Sequence, residues 1–142
     1  MATSNAATTY LENKLLAYIF KNDSGSFSSP GDSIYVGLAT AVSDAEAGSL
    51  TEAAFGAYAR QQVTAANWTL ASSSTDQQTV NNTNNIEFPA STGTTQTITH
   101  AFIADASSSG NILFVGALDA SKQIASGDIF RINATNLTIE LK

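Results

Sequence analysis

The sequence contains no cysteine, which removes disulfides, thiolate chemistry and cysteine-based zinc sites, and leaves stability to packing and association. Charge is scarce as well. Only 13% of residues are charged, against roughly 25% in ordinary globular chains, so the surface is mostly neutral and polar. The six basic side chains, Lys14, Lys21, Arg60, Lys122, Arg131 and Lys142, are scattered through a chain of net charge -6. They form no basic stripe for phosphate contacts, and nucleic acid is not an expected partner. No apolar run approaches the ~18 residues of a membrane helix. The first residues, MATSNAATTY, lack the basic start and long apolar core of a signal peptide, so synthesis in the cytoplasm is expected.

The 142 residues fit a single domain with one real core. Residues 1–9 are small and polar and read as a flexible N-terminal arm. Thr9 and Glu12 have the spacing of a capping box, and Leu11, Leu15, Tyr18 and Ile19 recur at helical spacing, which predicts a short helix over 10–21. After the turn-rich KNDSGSFSSPGD, the segment SIYVGLAT reads as a strand interrupted by Gly37, where a bulge or a close approach is expected. The segment from Ala41 to Arg60, broken by Gly48 and Gly56, reads as a long loop.

Arg60 to Leu70 looks extended, with Val63 and Trp68 buried. Ser72 to Asn85 is a mobile loop or an exposed edge strand, IEFPA is a short strand, and IFRI and LTIELK suggest a final hairpin. Six to eight short strands predict an all-β fold over 33–142: a mainly antiparallel β-sandwich or jelly-roll-like domain preceded by one short N-terminal α-helix.

The stretch Thr97 to Leu118 is the clearest element. An alternating strand, with Ile98, His100, Phe102 and Ala104 on one face, meets a Ser-rich loop from Asp105 to Gly110-Asn111. A nearly all-apolar strand, Ile112 to Leu118, then returns. Such a strand is buried on both faces and needs a second sheet, a helix or a neighbouring subunit to cover it.

Reactive groups are few. His100 is the single histidine and lies among apolar neighbours, where a hydrogen-bonded structural imidazole outweighs a general base. No G-x-S-x-G motif marks a nucleophilic serine. Asp44 with Glu46 or Glu52 could form a glycosidase-like pair, and Asp23, Asp44 and Glu46 could bind calcium, but neither spacing stands above chance and no D-x-D-x-D-G loop occurs. Asp32, Asp105 and Asp128 sit at strand boundaries and read as turn formers. Asn-x-Ser/Thr at Asn22, Asn67, Asn81, Asn133 and Asn136 is expected by chance in so Asn-rich a chain. No Gly-rich phosphate loop opens a helix, and no cofactor or metal is expected. Arg60 is the only base between Lys21 and Lys122, and such an isolated charge favours a bidentate pair with a carboxylate such as Glu52.

Taken in order, LENKLLAYIF, SIYVGLAT, TEAAFGAYARQQV, IEFP, DASSSGNILFVGAL and KQIASGDIFRI resemble the small virion structural proteins of tailed bacteriophages, often described as tail-fibre-like. The pattern of that family, Thr-Glu then Gly-x-Tyr-x-Arg, and Asp-Ala, Gly, Leu-Phe, Gly-x-Leu, falls here on Thr51, Glu52, Gly56, Tyr58, Arg60, Asp105, Ala106, Gly110, Leu113, Phe114, Gly116 and Leu118. The polar tract from Asp76 to Asn85 lies outside it. The resemblance implies a structural, non-enzymatic protein of the virion.

Three roles are then open. The first is a capsid decoration (cement) protein, a homotrimer that binds the major capsid protein or other virion proteins and stabilises the shell by mass action. The second is a tail or tail-fibre component whose polar loops, Ser72 to Asn85 and Ser107 to Ser109, contact a host receptor or glycan. The third is a glycan module with Tyr58 and Trp68 as its stacking platform. The first is the expected role.

Overall fold

The computed structural model describes residues 5–23, 30–72 and 78–141. Eleven strands and one helix follow in the order β1 (Ala6–Ala7), α1 (Thr9–Phe20), β2 (Tyr35–Asp44), β3 (Ser49–Glu52), β4 (Gln61–Gln62), β5 (Trp68–Ser72), β6 (Gln78–Asn82), β7 (Ile86–Glu87), β8 (Gln96–Ala104), β9 (Ile112–Ile124), β10 (Arg131–Ile132) and β11 (Thr138–Leu141). The expected all-β architecture with one short helix is present. Its main element is a curled antiparallel sheet ordered β1-β9-β8-β2-β3, with β4 also pairing β2. Two smaller sheets, β10-β7 and β11-β6-β5, complete the fold.

The central hairpin forms around the expected loop, but β9 runs on to Ile124, and instead of being buried on both faces it leaves Ile112, Phe114 and Leu118 half-buried and Ala117 exposed. β8 and β9 pair over most of their length, and the ladder breaks between Ile98 and His100, opposite Lys122 and Ala117, where β9 carries extra residues. Across that break strict alternation fails. Ile98 and Ala101 join one apolar cluster with Val36, Leu38, Phe55 and Phe88, whereas Phe102 and Ala104 join another with Ala39, Ala45 and Val115. The expected single face of Ile98, His100, Phe102 and Ala104 is therefore divided by the irregularity.

The cover for the apolar hairpin comes from the chain itself. Ile103 and Leu113 pack against Leu11 of α1, with Leu15, Trp68, Leu137 and Ile139 around them, so the helix and the β5-β6-β11 sheet close this side. Gly37 explains its interruption of β2 by close approach: a Cβ there would lie 2.2 Å from Cζ of Phe102. The ring occupies the space a side chain would need.

Several expectations are corrected. Residues 1–4 of the anticipated arm lie outside the described residues. Ala6–Ala7 instead pair with Val115 and Phe114 of β9, and Asn5 Oδ1 accepts from Ala117 N at 2.6 Å, so backbone pairing holds this part in place. The helix cap is Thr8 rather than Thr9: its Oγ1 accepts from Leu11 N and donates to the Ile112 carbonyl at 2.6 Å, tying α1 to β9. The segment expected as a loop from Ala41 to Arg60 contains the β2–β3 hairpin. Its turn is set by Asp44 Oδ1 accepting from Ala47 N at 3.1 Å and by Gly48 at φ +67°.

The polar tract supplies β6, the middle strand of the three-stranded sheet; residues 73–77 within it are outside the described set. The expected final hairpin does not form. β10 pairs with β7 and β11 with β6, and the buried Asn82 amide donates to the Asn133 carbonyl at 2.9 Å and accepts from Leu137 N at 2.9 Å, holding the NATN turn at the end of β6.

Candidate functional site

A polar cluster joins the end of β3 to the β8–β9 loop. Arg60 lies just before β4, and its side chain runs along the Phe102 ring, 5.0 Å from the centroid. Its Nε donates to Glu52 Oε1 at 2.8 Å and its Nη2 to Glu52 Oε2 at 2.9 Å, a two-pronged pair. The remaining terminal nitrogen, Nη1, donates to the carbonyls of Ala106 at 2.8 Å and Ser109 at 2.9 Å. One guanidinium thus holds both a strand end and a loop.

Tyr58 completes the cluster. Its hydroxyl donates to Glu52 Oε1 at 2.8 Å and accepts from Leu38 N at 3.0 Å, and its ring stacks on Phe88. Burial on its own would raise the Glu52 carboxyl, but the hydrogen bonds from Arg60 and Tyr58 outweigh it and hold the group below its ordinary 4.5. Burial raises the Tyr58 phenol, with Glu52 adding to the effect against the Leu38 amide. Arg60 is raised chiefly by its hydrogen bond to Glu52. These shifts fix the ion pair in its charged form and leave the phenol protonated. The cluster ties β3 to the β8–β9 loop.

The loop it grips is built from within as well. Asp105 accepts from Asn111 through both carboxylate oxygens, at 2.7 Å from the backbone amide and 2.8 Å from the side chain. Ser109 and Gly110 adopt positive φ, 53° and 69°, and a Cβ on Gly110 would lie 2.6 Å from Asp105 Oδ1. Glu52, Tyr58, Arg60, Asp105 and Gly110 therefore come together. The other motif residues lie apart: Gly56 crosses Gly93, where a Cβ would sit 2.8 Å from its backbone nitrogen, and Phe114 and Gly116 lie on β9.

The remaining candidates take structural positions. Asp128 accepts from Ala125 N at 2.9 Å, the turn-forming role expected of a short carboxylate, whereas Asp32 accepts from Ala65 N, 33 residues along the chain, at 2.8 Å and ties two segments together instead. His100 Nδ1 lies 2.8 Å from Thr99 Oγ1, and burial lowers its pKa. Among the described residues no three His, Asp or Glu side chains are grouped to hold a metal ion. Trp68 and Tyr58 both pack against the main core cluster, so neither offers a free stacking platform.

Residues 6–140 match the family described as Podophage GP4 fiber I protein gp80. The chain belongs to that family. A search of curated proteins finds no match. Membership in the podophage fiber I family makes the chain a structural protein of a tailed-phage virion, as the motif order from Leu11 to Ile132 implied. The family description names a fibre, which favours the tail-fibre role over capsid decoration. No helix among the described residues is long and apolar enough to cross a membrane.

Two parts of this arrangement escaped the sequence reading. The carbonyls of Ala106 and Ser109 carry no residue-type signal, since any residue supplies a carbonyl. Asn82 is one of four asparagines in NNTNN, and only its burial singles it out.

Proposed function

We propose that the protein is a non-catalytic structural subunit of the fibre of a podophage particle, in contact with other virion proteins and turned toward the host surface. The observation that carries this reading is the family match across residues 6–140, nearly the whole chain. The architecture suits the role: a curled sheet with loops pinned by the Arg60 clamp makes a rigid body whose surface loops can vary. At the end of α1, Ile19 and Phe20 are 64% and 74% exposed, apolar side chains suited to burial against neighbouring subunits.

Immunogold labelling of intact particles with antibody against the purified protein tests the assignment. Gold on the fibres is expected, and gold distributed over the capsid lattice would restore the decoration role. Crosslinking on the same particles decides the oligomeric state anticipated from the sequence, a homotrimer, and identifies the neighbouring virion protein.

A further inference from the structure

α1 rests on the fold through a narrow seam, with Leu11 buried and Leu15 packed beside it. The rest of its apolar surface is open. Leu16, Tyr18, Ile19 and Phe20 are each more than half exposed, and Tyr10 more than a third. These five side chains expose on the order of 600 Å² of largely apolar surface. That is the upper end of what a monomer ordinarily leaves uncovered, and most of the roughly 800 Å² that each partner contributes to a standard interface. We propose that a second copy of this chain covers the helix, in a head-to-tail contact between two unlike flanks of α1.

The flanks follow from the helical repeat. At about 3.6 residues per turn, Glu12, Leu16 and Ile19 line one side of the Leu11–Leu15 seam, an apolar row that begins with a carboxylate. Tyr10 and Lys14 fall on the other side, with the Lys14 ammonium 5.8 Å from the centre of the Tyr10 ring. Lys21, the C-cap residue, continues that second row. Phe20 stands on the outer crest between the two.

One flank is apolar and acidic, the other aromatic and basic, so each complements the other better than itself. Among the described residues Glu12, Lys14 and Lys21 make no ion pair within the chain, whereas Arg60 and Arg131 both do. Like flanks pressed together would leave Glu12, or the two lysines, without an opposite charge. Unlike flanks bring Glu12 of one copy to the lysines of the next while the apolar rows are buried between them. A contact between unlike surfaces is heterologous, so it closes into a ring or extends as a filament and does not stop at a two-fold pair. The contact is independent of the fibre assignment and holds wherever the particle carries the protein.

Sedimentation velocity of the purified protein tests this, and concentration-dependent assembly is expected below about 100 μM. The double variant Leu16→Ser, Ile19→Ser disables the apolar flank, and Lys14→Glu, Lys21→Glu disables the basic one. Each alone should associate at least about tenfold more weakly than the parent protein. Their equimolar mixture still holds one intact flank of each kind, so it should form a one-to-one dimer and stop there. Circular dichroism should show the parent fold in both, and Glu12→Lys, which spares the apolar row, repeats the loss of association if the first variant fails to fold. A parent protein that stays monomeric at about 100 μM, variants that assemble as tightly as it does, or a mixture that stays monomeric or grows past the dimer would overturn the contact. Assembly through α1 by a protein that immunogold places off the fibre would uphold the contact and remove the fibre reading. Fibre labelling with a strictly monomeric protein would do the opposite.

Discussion

Arg60 and Glu52 meet through two parallel hydrogen bonds, 2.8 and 2.9 Å, with the arginine side chain 5% exposed and the glutamate 32%. The same guanidinium caps two carbonyls of the β8–β9 loop, so one side chain joins segments separated by 46 residues or more. Removing it leaves a half-buried carboxylate with the Tyr58 hydroxyl but no counter-charge, and two carbonyls without their donor. Arg60→Ala should cost about 2–4 kcal/mol, lowering the melting temperature by on the order of 10 °C. Arg60→Lys should recover only part of this, because an ammonium cannot reproduce the fork. Thermal denaturation of the three proteins checks it; equal melting temperatures would show that the clamp contributes nothing.

Acid should act on the fold in two steps. The His100 pKa is lowered in the folded state, so the unfolded chain binds the proton first and stability falls as pH drops below the ordinary 6.5. The Glu52 pKa is also lowered, so its contribution is full above the ordinary 4.5 and is lost as pH falls through the folded value. Melting temperature followed from neutral pH downward should show the first step vanish in His100→Gln and the second shrink in Glu52→Gln.

Thr8 and Thr9 give a side-by-side comparison. Thr8 Oγ1 caps α1 and donates to the Ile112 carbonyl at 2.6 Å, whereas Thr9 is exposed. Thr8→Ala should cost about 1–2 kcal/mol and Thr9→Ala under about 0.5 kcal/mol. Urea unfolding of both variants measures the difference, and equal costs would contradict the assignment of the cap.

Gly37 should tolerate no side chain while Phe102 keeps its place. Gly37→Ala puts a methyl 2.2 Å from the ring and should destabilise by about 1–3 kcal/mol, the usual cost of overpacking. Phe102→Leu alone is destabilising too, but the double variant should be more stable than the sum of the two predicts. Additive costs in a double-mutant cycle would place the strain elsewhere.

The elements visible in the sequence were those whose cause is local. The β8–β9 hairpin follows from alternation around Asp105 and Gly110, the helix from apolar spacing after Thr8, and the Glu52–Arg60 pair from the isolation of one base in an acidic chain. The elements that were hidden depend on partners far along the chain. β6 is polar by composition yet central in its sheet, because Asn82 binds carbonyls and amides more than 50 residues away. β10 and β11 alternate like a hairpin, yet each pairs with a strand far back in the chain.

The fibre assignment is tested most directly by cryo-electron microscopy of the native particle at a resolution that shows side chains. Density for the curled sheet, with the Arg60 side chain between Glu52 and the 105–111 loop, is expected in the fibre. The same density found only on the capsid lattice would contradict it.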